Sequence, residues 1–282
     1  MYTRRNFVKV MGAATAGSML MPSMGFRSPG LQPGLILYTV RDLMKKDPLG
    51  TLKKVAGVGY VNLEAAGYGN GKFYGMSPKA FKNAIEDLGM KLISSHTNVK
   101  QGPLEKIVDD ALEAGLSYIV YPSMAGEYRK SIDGIKRAAE FMNKTGTYCK
   151  SRGLNFAYHN HNFEFKPMEG VVPYDILLKN TDPEIVKMEL DLYWIKKGGA
   201  SAEEYFKNHP GRFELWHVKD MDNTPKHYFT EVGQGIIDFP KLFSLKKLAG
   251  LKYYFVENDD PSKVGAINSI RTSYQYLKSI TT

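Results

Sequence analysis

The sequence predicts an α/β protein, a single-domain (β/α)8 TIM barrel. Three observations carry that expectation. From Gly34 onward, short apolar runs alternate with amphipathic stretches, eight of each. Several amphipathic stretches stop at glycine (Gly57, Gly89, Gly115, Gly153 and Gly250), the residue that ends helices most cheaply. The 282 residues suit one barrel, and no linker or internal repeat divides them. Strands are read at 34–38, 60–64, 91–96, 118–121, 155–159, 186–191, 214–218 and 253–257. Helices are read between and after them, at 49–56, 78–88, 104–114, 132–152, 174–179, 202–208, 239–248 and 264–280. A doubly wound parallel sheet is the second architecture, because it shows the same alternation and differs in strand count and closure.

Residues 1–30 read as a leader ahead of a barrel domain over 31–282. The start "MYTRRNFVK" is charged, and "VMGAATAGSMLMP" is short, weakly apolar and rich in small residues. Arg4-Arg5 followed by Asn6-Phe7-Val8-Lys9 resembles a twin-arginine export motif. The expected location is therefore periplasmic, with no stable membrane insertion after processing.

Composition excludes several classes. At 43% hydrophobic and 24% charged, the chain is too apolar for disorder. Cys149 is the single cysteine, so an internal disulfide framework and a cysteine-rich zinc site are both ruled out. The net charge of +9 comes from scattered lysines, without the like-charged block of a nucleic-acid tail. No nucleic-acid partner is expected. "GYGNG" and "GQG" lack the spacing of a phosphate loop or dinucleotide fingerprint, and Gly233-Gln234-Gly235 reads as a turn.

In such barrels chemistry sits where the strands end at the C-terminal face. The strand ends here carry Arg41, Glu64, His96, His159 with His161, Glu189 with Asp191, His217 with Lys219, and Glu257. Alternation puts His159 and His161 on one side, and likewise Glu189 with Asp191 and His217 with Lys219. A lone strand-end carboxylate is most often a helix cap or a salt-bridge partner. A succession of imidazoles and carboxylates on neighbouring strands suits a divalent cation instead. N and O donors without thiolate fit Mn, Mg, Co or Zn.

The segments "ILYTVRD", "YHNHNFEF", "MELDLYW", "LWHVKDMD", "EVGQGIIDF" and "FVEND" resemble the sugar phosphate isomerase/epimerase family of xylose isomerase-like barrels. The resemblance runs from Gly34 to the C-terminus. It implies a divalent metal held by residues ending strands five to eight, in the order Glu, Asp, His, Glu. Asp191, His217 and Glu257 match the last three. Strand five departs from the pattern. His159 stands where the glutamate is expected, with His161 and then Glu164 as alternatives. The expected metal set is His159, Asp191, His217 and Glu257.

That departure removes one of the two carboxylates that epimerases of this kind use as paired bases. What remains is proton abstraction next to a sugar carbonyl through an enediolate, eased by a divalent cation on the carbonyl oxygen. The first expectation is an isomerase or epimerase acting on a free sugar or glycoside. The alternative is β-elimination of the 3-oxo-glycoside lyase or hydratase type. A third reading is a non-catalytic carbohydrate-binding barrel. Candidate catalytic residues are Glu257, His159, His161, Lys219 and His96; candidate substrate contacts are Glu64, Arg41 and Trp194. Trp216 is expected to point outward into the helix layer. The loop "GYGNGKFYGM" is either a lid or a surface connection.

Overall fold

The computed structural model describes residues 31–281, so the leader read at 1–30 lies outside the described residues. Eight parallel strands close into a barrel: β1 (Gly34–Ile36), β2 (Asn62–Ala65), β3 (Lys91–His96), β4 (Tyr118–Tyr121), β5 (Asn155–His159), β6 (Val186–Asp191), β7 (Leu215–Val218) and β8 (Tyr253–Val256). Each pairs with the next, and β8 closes on β1 through Gly34 opposite Phe255 and Leu35 opposite Val256. Closure excludes the doubly wound sheet. Gly34 has a local cause: a Cβ there would lie 2.6 Å from the Phe255 ring and from the Tyr254 carbonyl oxygen.

The outer helices are α1 (Pro48–Val58), α2 (Pro78–Glu86), α3 (Leu104–Glu113), α4 (Ile132–Ser151), α5 (Pro173–Asn180), α6 (Ala202–Asn208), α7 (Phe239–Ser244) and α8 (Ala266–Thr281). Polar side chains set several starts: Asp47, Ser77, Ser131, Ser201 and Asp238 each accept a backbone N–H of the first turn. Two short helices depart from the sequence reading. Arg41–Lys46 begins directly after β1, which ends at Ile36 when the chain turns through Leu37–Val40. Leu192–Lys197 begins at Asp191. The helix expected at 239–248 is broken at Leu245, and Lys246–Ala249 follows as a separate turn.

Two packing layers result. Between strands and helices, Trp216 stacks on Phe206 of α6 at 4.8 Å and meets Phe243 of α7 at 5.6 Å, pointing outward as expected. Cys149 is buried in the same layer, and burial pushes its thiol up to about 12, so packing is its role. Inside the barrel, Ile36, Ile93, Tyr118, Val120, Ala157, Leu215 and Phe255 form an apolar plug. Below the plug, Glu214 accepts from Tyr118 Oη at 2.8 Å and pairs with Lys252 at 3.0 Å and Lys187 at 3.3 Å. The barrel is therefore sealed at its N-terminal end, and polar chemistry is confined to the other.

Candidate active site

Above the plug, alternation aims one or two side chains per strand at the barrel axis. Register aligns Glu189 with His159 and Leu215, and Asp191 with His217, so these donors converge from β5, β6 and β7. Glu64 arrives from β2, His96 from the end of β3, and Glu257 directly after β8. The pairing of β2 with β3 shifts between Leu63 and Glu64 and places Glu64 beside Ser94, and the pairing of β3 with β4 places His96 beside Val120.

The donors stack in two levels. The inner level holds Glu64, His96 and Glu189. His96 Nε2 lies 2.7 Å from Glu189 Oε2, and His217 Nε2 lies 2.6 Å from Glu64 Oε2. His159 Nδ1 is 3.2 Å from Glu189 Oε2. The outer level holds Asp191, Glu257 and Lys219. His217 turns its other nitrogen, Nδ1, to Glu257 Oε2 at 2.9 Å and to Asp191 Oδ2 at 4.0 Å. His159 Nε2 faces Asp191 Oδ2 at 3.8 Å. Both imidazoles thus present one nitrogen to inner carboxylates and the other to the outer level. A carboxylate on the far nitrogen fixes tautomer and ring orientation in metal-ligating histidines.

Electrostatics separates the groups. Burial drives His96 down to about 4 and His159 well below its ordinary value, so both imidazoles are neutral donors of a lone pair. Burial pushes Glu189 up to about 7 and raises Glu64 and Asp191. For His217 burial works against the charged form, but Glu189 and Glu257 outweigh it and the pKa is raised. Burial would raise Glu257, yet Lys219 and His217 hold it well below the carboxylate range.

This cluster fits a divalent cation. Glu64, Glu189, Asp191 and Glu257 are buried carboxylates, with Asp259 beside them, and the ammonium of Lys219 stands against this excess. Glu64 Oε1, Glu189 Oε1, Asp191 Oδ2 and His159 Nδ1 are buried without a hydrogen-bond partner. One donor atom each from Asp191, His217 and Glu257 lies within 4.8 Å of the others, and so does a second set from His96, His159, Glu189 and His217. Asp191 is a helix cap and a site residue at once. Its Oδ1 accepts from Trp194 N at 2.7 Å, which leaves Oδ2 for the site.

The mouth above the cluster is a cavity of 230 Å³ walled by Tyr38, His96, Pro122, Ser123, His159, His161, Trp194, Lys219, Glu257 and Asp259. Trp194 lies 5.6 Å from the His161 ring and 5.2 Å from Lys219 Nζ. Lys219 reaches Glu257 at 2.8 Å, Asp259 at 2.9 Å and Asp191 at 3.4 Å.

Several expectations are corrected. Of the strand-five alternatives, His159 both lines the mouth and faces Glu189 and Asp191, whereas His161 lines the mouth without joining the cluster. Glu164 faces away, accepting from Tyr158 Oη and His161 N. Glu64 is not at the mouth for substrate hydroxyls; it is fully buried under His217. Arg41 stands outside the mouth, where it donates to Asp259 O at 2.7 Å and stacks on Tyr38 at 4.3 Å. Sequence reasoning gave no role to Glu189 or Asp259. Alternation with Asp191 marked Glu189; nothing periodic marks Asp259, which follows the strand. The turn reading of Gly233-Gln234-Gly235 fits the backbone. The N–H groups of Gly233, Gly235 and Ile237 all donate to the Asp220 carboxylate, so none is left for a phosphate. The loop after β2 forms a ribbon, Tyr68–Gly69 against Lys72–Phe73, anchored by Tyr68 Oη on Asp110 and by the buried Phe73.

Comparison with known proteins gives the same fold. The chain is similar to a sugar phosphate isomerase/epimerase of Parabacteroides distasonis, at 28% identity and TM-score 0.79, over 93% of this chain and 99% of the other. It is similar in fold to an IolI protein with a bound zinc atom, at 16% identity and TM-score 0.70, over 89% and 98% of the two chains. An inosose dehydratase of Clostridium perfringens is 25% identical over 178 residues; the match spans 57% of this chain and 59% of that relative's length. No described helix is long and apolar enough to cross a membrane. The family described as Xylose isomerase-like TIM barrel matches residues 53–279, and the chain belongs to that family.

Proposed function

We propose that the protein is a divalent-metal-dependent carbohydrate enzyme that removes a proton next to a sugar carbonyl and eliminates the neighbouring substituent. The observation that carries this reading is the buried excess of carboxylate with unpartnered oxygens, set directly beneath a small polar mouth. His159, Asp191, His217 and Glu257 would hold the cation. When bound, it supplies positive charge to the carbonyl oxygen and so acidifies the adjacent C–H. The zinc-bound IolI fold neighbour and the inosose dehydratase relative support a metal and a lyase respectively.

His161 is the proposed base. Burial brings its pKa down to about 4, so it is an unprotonated but weak base on the mouth wall, and the transfer relies on a C–H acidified by the cation. Asp259 is the proposed acid. Burial and the charge of Glu257 raise its pKa, and the group lines the same mouth. The C–H proton passes to His161, and the freed electron pair forms the carbon–carbon double bond. The substituent leaves as its C–O bond breaks and takes a proton from Asp259. Trp194 offers an aromatic face to the sugar C–H groups. Lys219 stays protonated, since Glu257 and Asp191 outweigh burial, and it balances charge on the substrate oxygens.

Elimination is favoured over two-base epimerisation because Glu257 is already engaged by His217 and Lys219, and β5 offers His159 in place of a second carboxylate. The leader read at 1–30 favours free sugars or glycosides over phosphorylated sugars. The test is deuterium uptake from heavy water into 3-oxo-glycosides and keto-inositols, followed by NMR. Exchange and elimination are expected, with His161→Ala slowing exchange about 100-fold or more. Neither exchange nor product across the panel, with metal-loaded protein, would support the non-catalytic carbohydrate-binding barrel instead.

A further inference from the structure

Beside the mouth lies a second cavity of 470 Å³, lined by Tyr38, Arg41, Met44, Lys45, Ala66, Gly67 and Tyr74. Tyr38 walls both cavities and is 40% exposed. The mouth alone, at 230 Å³, is smaller than the common range for ligand pockets, about 300–1,000 Å³; the two cavities together fall within it.

The second cavity is held in shape at a cost. Tyr74 has φ +49°, a left-handed conformation that non-glycine residues rarely adopt. Its ring packs so closely on Gly67 that a Cβ there would lie 2.3 Å from a ring carbon, and its hydroxyl accepts from Ala66 N at 2.9 Å. Two aromatic side chains, Tyr38 and Tyr74, and the thioether of Met44 thus supply apolar wall, while Arg41 and Lys45 supply positive charge. Arg41 also ties this wall to the mouth, because it donates to the carbonyl of Asp259, whose carboxylate meets Lys219.

We propose that this second cavity is the subsite for the group attached to the sugar, and that this group is a planar, oxygen-bearing aromatic ring. The inference rests on the reading of the mouth as the sugar site. Under it the preferred substrate is an aryl 3-oxo-glycoside, with the oxidised sugar over the buried cluster and the aryl ring between Tyr38 and Tyr74. The cationic edge faces the ring's oxygen substituents.

The test is calorimetric binding of paired methyl and p-nitrophenyl 3-oxo-glycosides (of glucose, galactose and xylose) to the metal-loaded protein carrying His161→Ala, which slows turnover. The p-nitrophenyl member of the preferred pair is expected to bind about tenfold more tightly than its methyl partner. Tyr74→Leu is expected to abolish that advantage with methyl glycoside binding unchanged. Lys45→Ala, at an exposed position, is expected to cut it about threefold, which keeps the test available if the tyrosine variant misfolds. Equal binding of both members overturns the subsite and leaves the mouth reading intact. An aryl advantage untouched by both variants places the ring elsewhere and also overturns it. Failure of every glycoside to bind overturns the subsite together with the reading it rests on.

Discussion

At the scale of single residues, the site depends on two imidazoles that each serve two levels. His217 and His159 turn one nitrogen toward Glu64 and Glu189 and the other toward Asp191 and Glu257. The inner carboxylates would then act on a cation through the histidines rather than by contact. Glu189→Gln is accordingly expected to weaken divalent-metal affinity about 10–100-fold while the protein stays folded, as measured by competition with a chromophoric chelator. Much of this was legible in the sequence. Alternation along "MELDLYW" and "LWHVKD" aims Asp191 and His217 at the axis, and the structure places them there. The depth of each side chain was not legible. Glu64 ends an apolar run just as Glu257 does, yet it lies one level lower beneath His217. That level is set by the strand register and its shift beside Glu64, which no single segment encodes. Asp259 was invisible for a different reason: beyond the strand, side-chain direction follows loop geometry rather than a period of two.

At the scale of elements, the segment after β7 is organised by one carboxylate. Asp220 gathers the N–H groups of Met221, Gly233, Gly235 and Ile237, and Gly235 is so tightly placed that a Cβ would lie 2.2 Å from the Met221 carbonyl oxygen. This staple fixes the chain directly after Lys219. Asp220→Ala leaves several buried donors unpaired and is expected to cost about 3 kcal/mol or more in urea unfolding. The same variant is expected to loosen the seat of Lys219 and so to raise KM more than Asp220→Asn, which keeps one acceptor oxygen for two of these N–H groups. The strand and helix order was readable because each unit carries its own apolar run and stop signal. The helix Leu192–Lys197 was not, because its cap is Asp191, a residue whose pattern points equally to the strand and to the site.

At the scale of the whole molecule, the barrel divides its polar groups between a sealed end and an open one. The sealed end rests on Glu214. Burial alone would raise its pKa, but hydrogen bonds from Lys252 and Tyr118 outweigh burial and the pKa is lowered. A carboxylate with a lowered folded pKa adds stability above its unfolded pKa, near 4.3, and that stability is lost as pH falls through the folded value. Glu214→Gln is therefore expected to be less stable than the parent at about pH 7, with the difference shrinking below about pH 4 in denaturant titrations. The open end has the opposite imbalance, more buried carboxylates than cations, and a divalent metal would correct it. His159, Asp191, His217 and Glu257 are the residues proposed to hold such a metal. The most direct measurement is the metal content of the purified chain after reconstitution, beside a folded His217→Ala variant. About one equivalent of divalent metal is expected in the parent and none retained in the variant. A parent that binds no metal, or a variant that keeps the full complement, would contradict that assignment.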